Sequence, residues 1–347
     1  LVMEPSTGSI IYERNSHEKL HPASMTKMMT MLLIIESVEK GIINLDDMVT
    51  VSSNASSMGG SQILLETGEK MSVNDLLKGI AVASGNDAAV AMAEKIGGTE
   101  EAFVAMMNER AKELGLNDTN FKNVHGLDDV NHYSSAYDMA MIAKELVKHP
   151  KILEFTSIYE DYLRKGTDRA FWLVNTNKLV RFYDGVDGLK TGYTSEAGHC
   201  LTATANIDGM RIIAVVMGEP DSNTRSSEVS SIFDYVYAQY ALDKVVTKDT
   251  DLGEYDVDKG KVNKIKVAPI EDVTILHKKA EKMDNVTYDI EVDKLIAPIN
   301  IGNLIGKLTL KQNGVVIKSV PLTVSENVSK ANIFEVFWKN LKDTLSI

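Results

Sequence analysis

Apolar positions along this chain recur with two different periods, and the change from one to the other divides it. Up to about Asp243 the spacing is mostly helical. The densest run opens at Pro22 and passes through Met28, Met29, Met31, Leu32, Leu33, Ile34 and Ile35 towards Val38, predicting a strongly apolar helix ended by Gly41. Ser72 suits the N-cap of a helix through Ile80, and Ala88–Lys95 reads as a second apolar helix. Glu100–Leu114 places Phe103, Met107 and Leu114 on one face before a C-capping Gly115. Ala136–Val147 is a further helix, closed by His149-Pro150, and Arg225–Tyr240 is a long closing helix. Between the helices, Val2–Glu4 and Ser9–Glu13 flank a Pro5–Gly8 turn, and Val49–Val51 is a short strand. Met58–Glu69, rich in Gly and Ser, reads as irregular. Val186–Thr191, Cys200–Ala205 and Arg211–Met217 read as strands, the last two a central pair.

After Asp243 the period falls to two. Val286–Val292 alternates as a half-buried strand, and Asn313-Gly314 between Leu308–Leu310 and Val315–Ile317 is a hairpin signal. The expected domains are 1–243, a small all-β domain at 250–324, and a helical stretch at 329–347. In Ala331–Ile347, Ile333, Phe334, Val336, Phe337, Leu341 and Leu345 share one broad face, with Glu335, Lys339, Lys342 and Asp343 opposite and Trp338 at the border. Such a helix either packs on the β domain or lies in a membrane surface.

Composition adds exclusions. The 347 residues suffice for two domains, and 44% hydrophobic with 25% charged residues is ordinary for a globular protein. The net charge of −12 is concentrated before Lys244, where acidic residues number 34 and basic residues 21. That balance argues against nucleic acid as a partner. One cysteine, Cys200, allows no intrachain disulfide and on its apolar strand reads as core. No run of apolar residues is long enough for a transmembrane helix. The chain starts in a strand, so either it acts in the cytoplasm or a signal peptide is missing from this sequence.

The chemistry-bearing residues start the apolar helix. Ser24 and Lys27 lie one turn apart on one face, where a lysine amine can reach a serine hydroxyl and the helix N-terminus contributes positive potential. Alone, the pair says little: Ser16–Lys19 and Ser37–Lys40 share the S-x-x-K pattern, the second on an expected solvated face. S-x-N recurs at Ser52, Ser72, Ser84 and Ser325, and Lys-Thr-Gly occurs once, at Lys190–Gly192. The ordered set carries more weight: Ser24-x-x-Lys27 opening a helix, Ser84-Gly85-Asn86 between helices, Lys190-Thr191-Gly192 on a strand. His17-Glu18-Lys19-Leu20-His21 matches a zinc-protease pattern, but a strand end before it and Pro22 after it leave no room for the helix that the pattern requires.

With these three motifs, and with Met3–Gly8, Pro22–Met28, Ser84–Asp87, His125-Gly126-Leu127 and Asp187–Gly192 around them, the chain resembles the penicillin-recognising serine acyl-transferases. The similarity is greatest to low-molecular-mass penicillin-binding proteins that act as D-alanyl-D-alanine carboxypeptidases. The resemblance implies an α+β fold: an α/β/α sandwich with a central antiparallel sheet, then a small all-β C-terminal domain and a terminal amphipathic helix. It implies Ser24 as nucleophile, Lys27 as its base with Lys190 as the second cation, and Ser84 as proton relay. Asn86 would bind a substrate amide, and the backbone N–H groups of Ser24 and Tyr193 would form the oxyanion hole. Thr191, Gly192 and Arg225 would complete the substrate site, although an arginine at a helix start can also be a plain surface residue. Tyr193 stands where relatives can have histidine. The partners implied are peptidoglycan stem peptides ending in D-Ala-D-Ala, β-lactams, and a membrane surface through the C-terminal helix, with no cofactor and no metal. Action outside the cytoplasmic membrane, after removal of a signal peptide, follows from the same resemblance. A class A β-lactamase would carry S-D-N and E-x-x-x-N; here Gly85 replaces the aspartate, and neither Glu154 nor Glu160 is followed four residues later by asparagine. A non-catalytic peptidoglycan-binding scaffold is the alternative of a different class.

Overall fold

A computed structural model describes residues 1–332 and Glu335. They form two compact units, Leu1–Ala238 and the residues from Gln239 onward.

In the first unit a five-stranded sheet runs in the order Ser9–Tyr12, Val2–Glu4, Met210–Glu219, Gly198–Ile207, Val186–Thr194. Every neighbouring pair is antiparallel. The inner strands are buried without a break over Leu201–Ala205 and Ile212–Val216, so the sheet is covered on both faces. Alternation sends Cys200, Ile213 and Val215 into the main helical core. The other face meets the helix Ser222–Gln239, whose Val229, Phe233 and Val236 are buried. From that helix the Tyr237 hydroxyl donates to the Ala205 and Met210 carbonyls, at 2.8 and 3.2 Å. The expected α/β/α sandwich is the one observed.

The helix Lys27–Glu39 runs inside the main core, against Val73–Ala83, Asn86–Gly97 and Ala136–Leu146. Each residue from Lys27 to Ser37 is buried, which is why the sequence there is apolar nearly all round. Burying each large aliphatic side chain contributes about 1.5–3 kcal/mol. Ser37, expected on a solvated face, is therefore buried as well, and its hydroxyl donates to the Leu33 carbonyl at 2.7 Å.

Helix starts follow the caps. Ser72, Thr99 and Ser135 accept from the backbone N–H groups of Asp75, Ala102 and Asp138. Pro150 does not merely close a helix; it occupies the first turn of the next, Pro150–Thr156. The hairpin Glu160–Leu163/Phe171–Val174 and the one-turn helix Leu179–Phe182 were not foreseen.

Among its described residues the second unit is built on β-strands. Its six-stranded sheet has the order Val286–Val292, Gly306–Gln312, Val315–Val324, Lys264–Pro269, Glu254–Asp258, Leu295–Ile296. Asn313 and Gly314 both have positive φ, 51° and 79°, as a two-residue hairpin turn between Gln312 and Val315 requires. Tyr240–Val246 pairs with Val273–Lys278, so this unit starts earlier than the residue 250 expected. The expected terminal helix lies outside the described residues except at its start. There Asn332 and Glu335 exchange the reciprocal side-chain-to-backbone bonds of a capping box, at 2.7 and 2.9 Å.

Candidate active site

Ser24 stands in a 3-10 turn, Ala23–Thr26, that leads directly into the α-helix starting at Lys27. Ala23 has a φ of +46°, a strained conformation for alanine. Gly126 presses against the Ala23 carbonyl, where any Cβ would lie well inside van der Waals contact. On the other side Gly192 is also near: a Cβ there would sit 2.8 Å from the Pro22 carbonyl oxygen and 3.2 Å from the Ser24 nitrogen. The nucleophile turn is thus gripped between the His125–Leu127 loop and the edge strand Val186–Thr194.

The second motif joins two helices. Ser84 ends Val73–Ala83 in the left-handed conformation, φ +62°, and Gly85 is the N-cap of Asn86–Gly97. Next to it, the buried Asp87 carboxylate accepts from the N–H groups of Ile63, Leu65 and Ala88, which pins the irregular 58–69 stretch beside the site. The third motif lies on the edge strand, where Lys190 is almost completely buried.

These elements meet at the Lys27 amine. Its Nζ donates to Ser24 Oγ at 2.9 Å, Asn86 Oδ1 at 2.6 Å and the His125 carbonyl at 2.7 Å. Asn86 Nδ2 donates in turn to the Gly59 carbonyl at 2.7 Å. Lys190 Nζ donates to the Thr191 carbonyl at 3.1 Å, and the Thr191 hydroxyl to that of Thr176 at 2.7 Å. Ser24, Ser84, Thr191, Gly192, Tyr193 and Arg225 line one cleft of about 590 Å³, with Lys27, Asn86 and Lys190 bonded in behind them.

Three buried cations share this small volume, and among the described residues none has an ion-pair partner. Burial, and then the Lys190 charge, hold the Lys27 amine well below its ordinary value, against an opposing pull from Asp87. Burial, and then Arg225, lower Lys190 to about 7. Burial also lowers Arg225, but a guanidinium remains charged at any working pH. His125 and His132 are pushed by burial to about 3 and about 4 and are neutral. His125 thus meets the site through its carbonyl only, while His132 bonds the Thr26 hydroxyl.

Among the described residues, three buried side-chain polar atoms have no hydrogen-bond partner, and two belong to cleft-lining residues: Ser84 Oγ and Arg225 Nε. An unpaired guanidinium N–H and an unpaired hydroxyl, both buried on residues lining one cavity, are costly unless a ligand satisfies them. Such an arrangement suits an anion-terminated acyl compound: a serine with an amine to take its proton, a second hydroxyl able to pass one on, and a cation for a carboxylate.

The structure gathers all nine residues singled out in the sequence. Thr176, the His125 carbonyl and Lys178 also belong to the neighbourhood and were missed, for nothing in Asn175-Thr176-Asn177-Lys178 marks it locally. The histidines of the zinc-like pattern share no helix: His17 is in a turn with its Nδ1 2.9 Å from Asp118, and His21 faces Asp128 at 3.7 Å.

Known proteins match this chain throughout. Residues 1–221 match the family described as D-alanyl-D-alanine carboxypeptidase, and residues 240–330 the C-terminal domain of penicillin-binding protein 5. The D-alanyl-D-alanine carboxypeptidase DacF of Bacillus subtilis is 49% identical over 99% of this chain and 88% of its own length. DacA of Haemophilus influenzae is 35% identical over 97% and 86%. The crystal structure of penicillin-binding protein 5 from Haemophilus influenzae superposes with a TM-score of 0.76 at 34% identity, covering 95% of this chain and 96% of that one. With the family match spanning well over half of the sequence and these relatives aligned almost end to end, the chain belongs to the D-alanyl-D-alanine carboxypeptidase family.

Proposed function

We propose that Ser24 is the nucleophile of a serine-type D-Ala-D-Ala carboxypeptidase acting on peptidoglycan stem peptides, with Lys27 as its base. The observation that carries this reading is the 2.9 Å contact between Lys27 Nζ and Ser24 Oγ in a buried site, where burial and then the Lys190 charge lower the lysine pKa. Deprotonated Lys27 takes the hydroxyl proton as Ser24 Oγ attacks the carbonyl of the penultimate D-alanine. The Ser24 and Tyr193 backbone N–H groups stabilise the oxyanion; a single such donor is typically worth about 3–4 kcal/mol. As the C–N bond breaks, the Ser84 hydroxyl relays a proton to the departing D-alanine amine. Water then cleaves the Ser24 ester and releases the shortened peptide. A β-lactam enters the same way, its ring amide taking the place of the peptide bond, and acylates Ser24.

Arg225 and Thr191 hold the terminal carboxylate, which the unpaired Arg225 Nε supports. Asn86 has one N–H beyond its bond to Gly59 for a substrate carbonyl, while its Oδ1 orients Lys27. The test of the function is release of D-alanine from diacetyl-L-Lys-D-Ala-D-Ala together with covalent labelling by a fluorescent penicillin. Arg225→Gln is expected to lower kcat/KM for that peptide by about 30-fold or more, mainly through KM, because a buried charge–carboxylate pair is lost. An unchanged KM would return Arg225 to the role of a helix-start residue.

A β-lactamase reading gains no support from the geometry. Among the described residues no carboxylate lines the cleft; Glu154 pairs with Lys151 at 2.7 Å and Glu160 with Arg181 at 3.9 Å. The penicilloyl adduct is accordingly long-lived.

We also propose that the enzyme acts outside the cytoplasmic membrane and that residues 331–347 lie on a membrane surface. No helix of the described residues is long and apolar enough to cross a membrane. The amphipathic pattern of the stretch and the capping box at Asn332 and Glu335 support an interfacial helix. Liposome flotation of this chain against one ending at Asn332 tests it. Loss of binding on truncation is expected, and equal binding would remove the anchor.

A further inference from the structure

The cleft is lined by one further cation that the proposed chemistry leaves unused. Lys178 lines the same cavity as Arg225, two residues after Thr176, whose hydroxyl accepts from Thr191. Arg225 is buried; Lys178 is exposed. Lys178 has no ion-pair partner among the described residues, and the cleft lining includes no Asp or Glu. Of the nearby carboxylates, two have partners of their own, while Glu219 and Glu228 interact with each other. Asp221 caps the helix Ser222–Gln239, accepting from Asn223 N, Thr224 N and the Thr224 hydroxyl at 2.8–2.9 Å, and Glu160 faces Arg181 at 3.9 Å.

This arrangement sits in an acidic protein of net charge −12, which by itself repels an anionic peptide end. A cleft lined by one sign of charge between low-dielectric walls focuses the field and raises the local concentration of the opposite sign. We infer that Lys178 is a recruiting residue: an outer cationic station that draws the substrate's terminal carboxylate into the cleft, from which it passes to Arg225. This rests on the carboxypeptidase reading and adds to it a residue that sets capture and takes no part in bond making. A solvated lysine suits that role better than a buried one, since exposed ion pairs are weak and release their partner readily. The effect must also fade with salt, as buried contacts do not.

The experiment compares wild type with Lys178→Gln, Lys178→Glu and Lys178→Arg across ionic strength. It measures kcat and KM for diacetyl-L-Lys-D-Ala-D-Ala, and the second-order acylation rate with benzylpenicillin, which also bears a carboxylate. At about 0.01 M salt, where screening extends to about 30 Å, Lys178→Glu is expected to lose about fivefold or more in kcat/KM with kcat retained. Lys178→Gln should fall between, and Lys178→Arg near wild type. At about 1 M salt, with screening near 3 Å, the four proteins should converge. Parallel salt profiles for wild type and Lys178→Glu would overturn the inference. So would a loss that persists at high salt or appears in kcat, either of which marks a packing role. A wild type that neither releases D-alanine nor labels with penicillin would instead bring down the carboxypeptidase reading and this one with it.

Discussion

Ser24→Ala is expected to abolish covalent labelling by penicillin and to lower D-alanine release by roughly 10⁴-fold or more, the scale seen when a covalent nucleophile is removed. The loss should appear in kcat, because Ser24 contributes to the reacting bond and little to binding. The substitution deletes one hydroxyl at the edge of an open cleft, and Lys27 keeps two other acceptors, Asn86 Oδ1 and the His125 carbonyl. Fold stability should therefore be nearly unchanged, and an unaltered urea midpoint would show that the loss is chemical. A Ser24→Ala protein that labels as well as wild type would end the acyl-enzyme reading. Binding of the peptide without turnover by wild type would favour a scaffold.

Lys27→Met is the second large effect, with acylation expected to slow by about 10²- to 10⁴-fold, the usual contribution of a positioned general base. It also leaves the buried Asn86 and His125 oxygens without their donor, a loss of about 1–3 kcal/mol in stability for each unsatisfied group. Lys190 supplies the finer test. Lys27 serves as base only when deprotonated, so acylation rises with pH through its lowered pKa. The Lys190 charge is one cause of that lowering, after burial. Lys190→Met should therefore move the acid limb of the acylation–pH profile to higher pH. In wild type the same Lys190, held near 7, loses its charge as pH rises, so its influence on Lys27 weakens on the alkaline side. An acid limb that stays in place in Lys190→Met would separate the two lysines.

Several elements were legible because the forces that make them are local. Ser72, Thr99 and Ser135 are caps whose hydroxyls satisfy backbone donors within three residues, and Asn313-Gly314 supplies the two positive φ values of its turn. Pro150 marked the end of one helix correctly but not the start of the next, because proline suits both a helix boundary and a first helical turn, and only the core packing of Ile152 and Phe155 decides for the latter. The hairpin at Glu160–Val174 was hidden for a similar reason. Its inward residues, Leu163 and Leu173, are too few to show a period, and its stability comes from packing on the helix Val73–Ala83. Ser37 read as solvated beside Glu36 and Lys40, yet the helix is enclosed by others on its sides.

The motif residues were likewise visible in the sequence, as was their order, and their resemblance to one enzyme family pointed to acyl transfer. Their meaning was not local. Lys27 is one of three lysines in S-x-x-K spacing, and nothing within its helix distinguishes its amine from those of Lys19 and Lys40. What separates it is burial beside Lys190, 163 positions away, under an Arg225 further still along the chain. Charges interact through space and solvent is excluded by packing, and neither is a property of neighbours in sequence. The chain by itself determined which side chains were available and in what order; the tertiary structure decided which serine has a buried lysine amine hydrogen-bonded to it, and left the Arg225 Nε without a hydrogen-bond partner among the described residues.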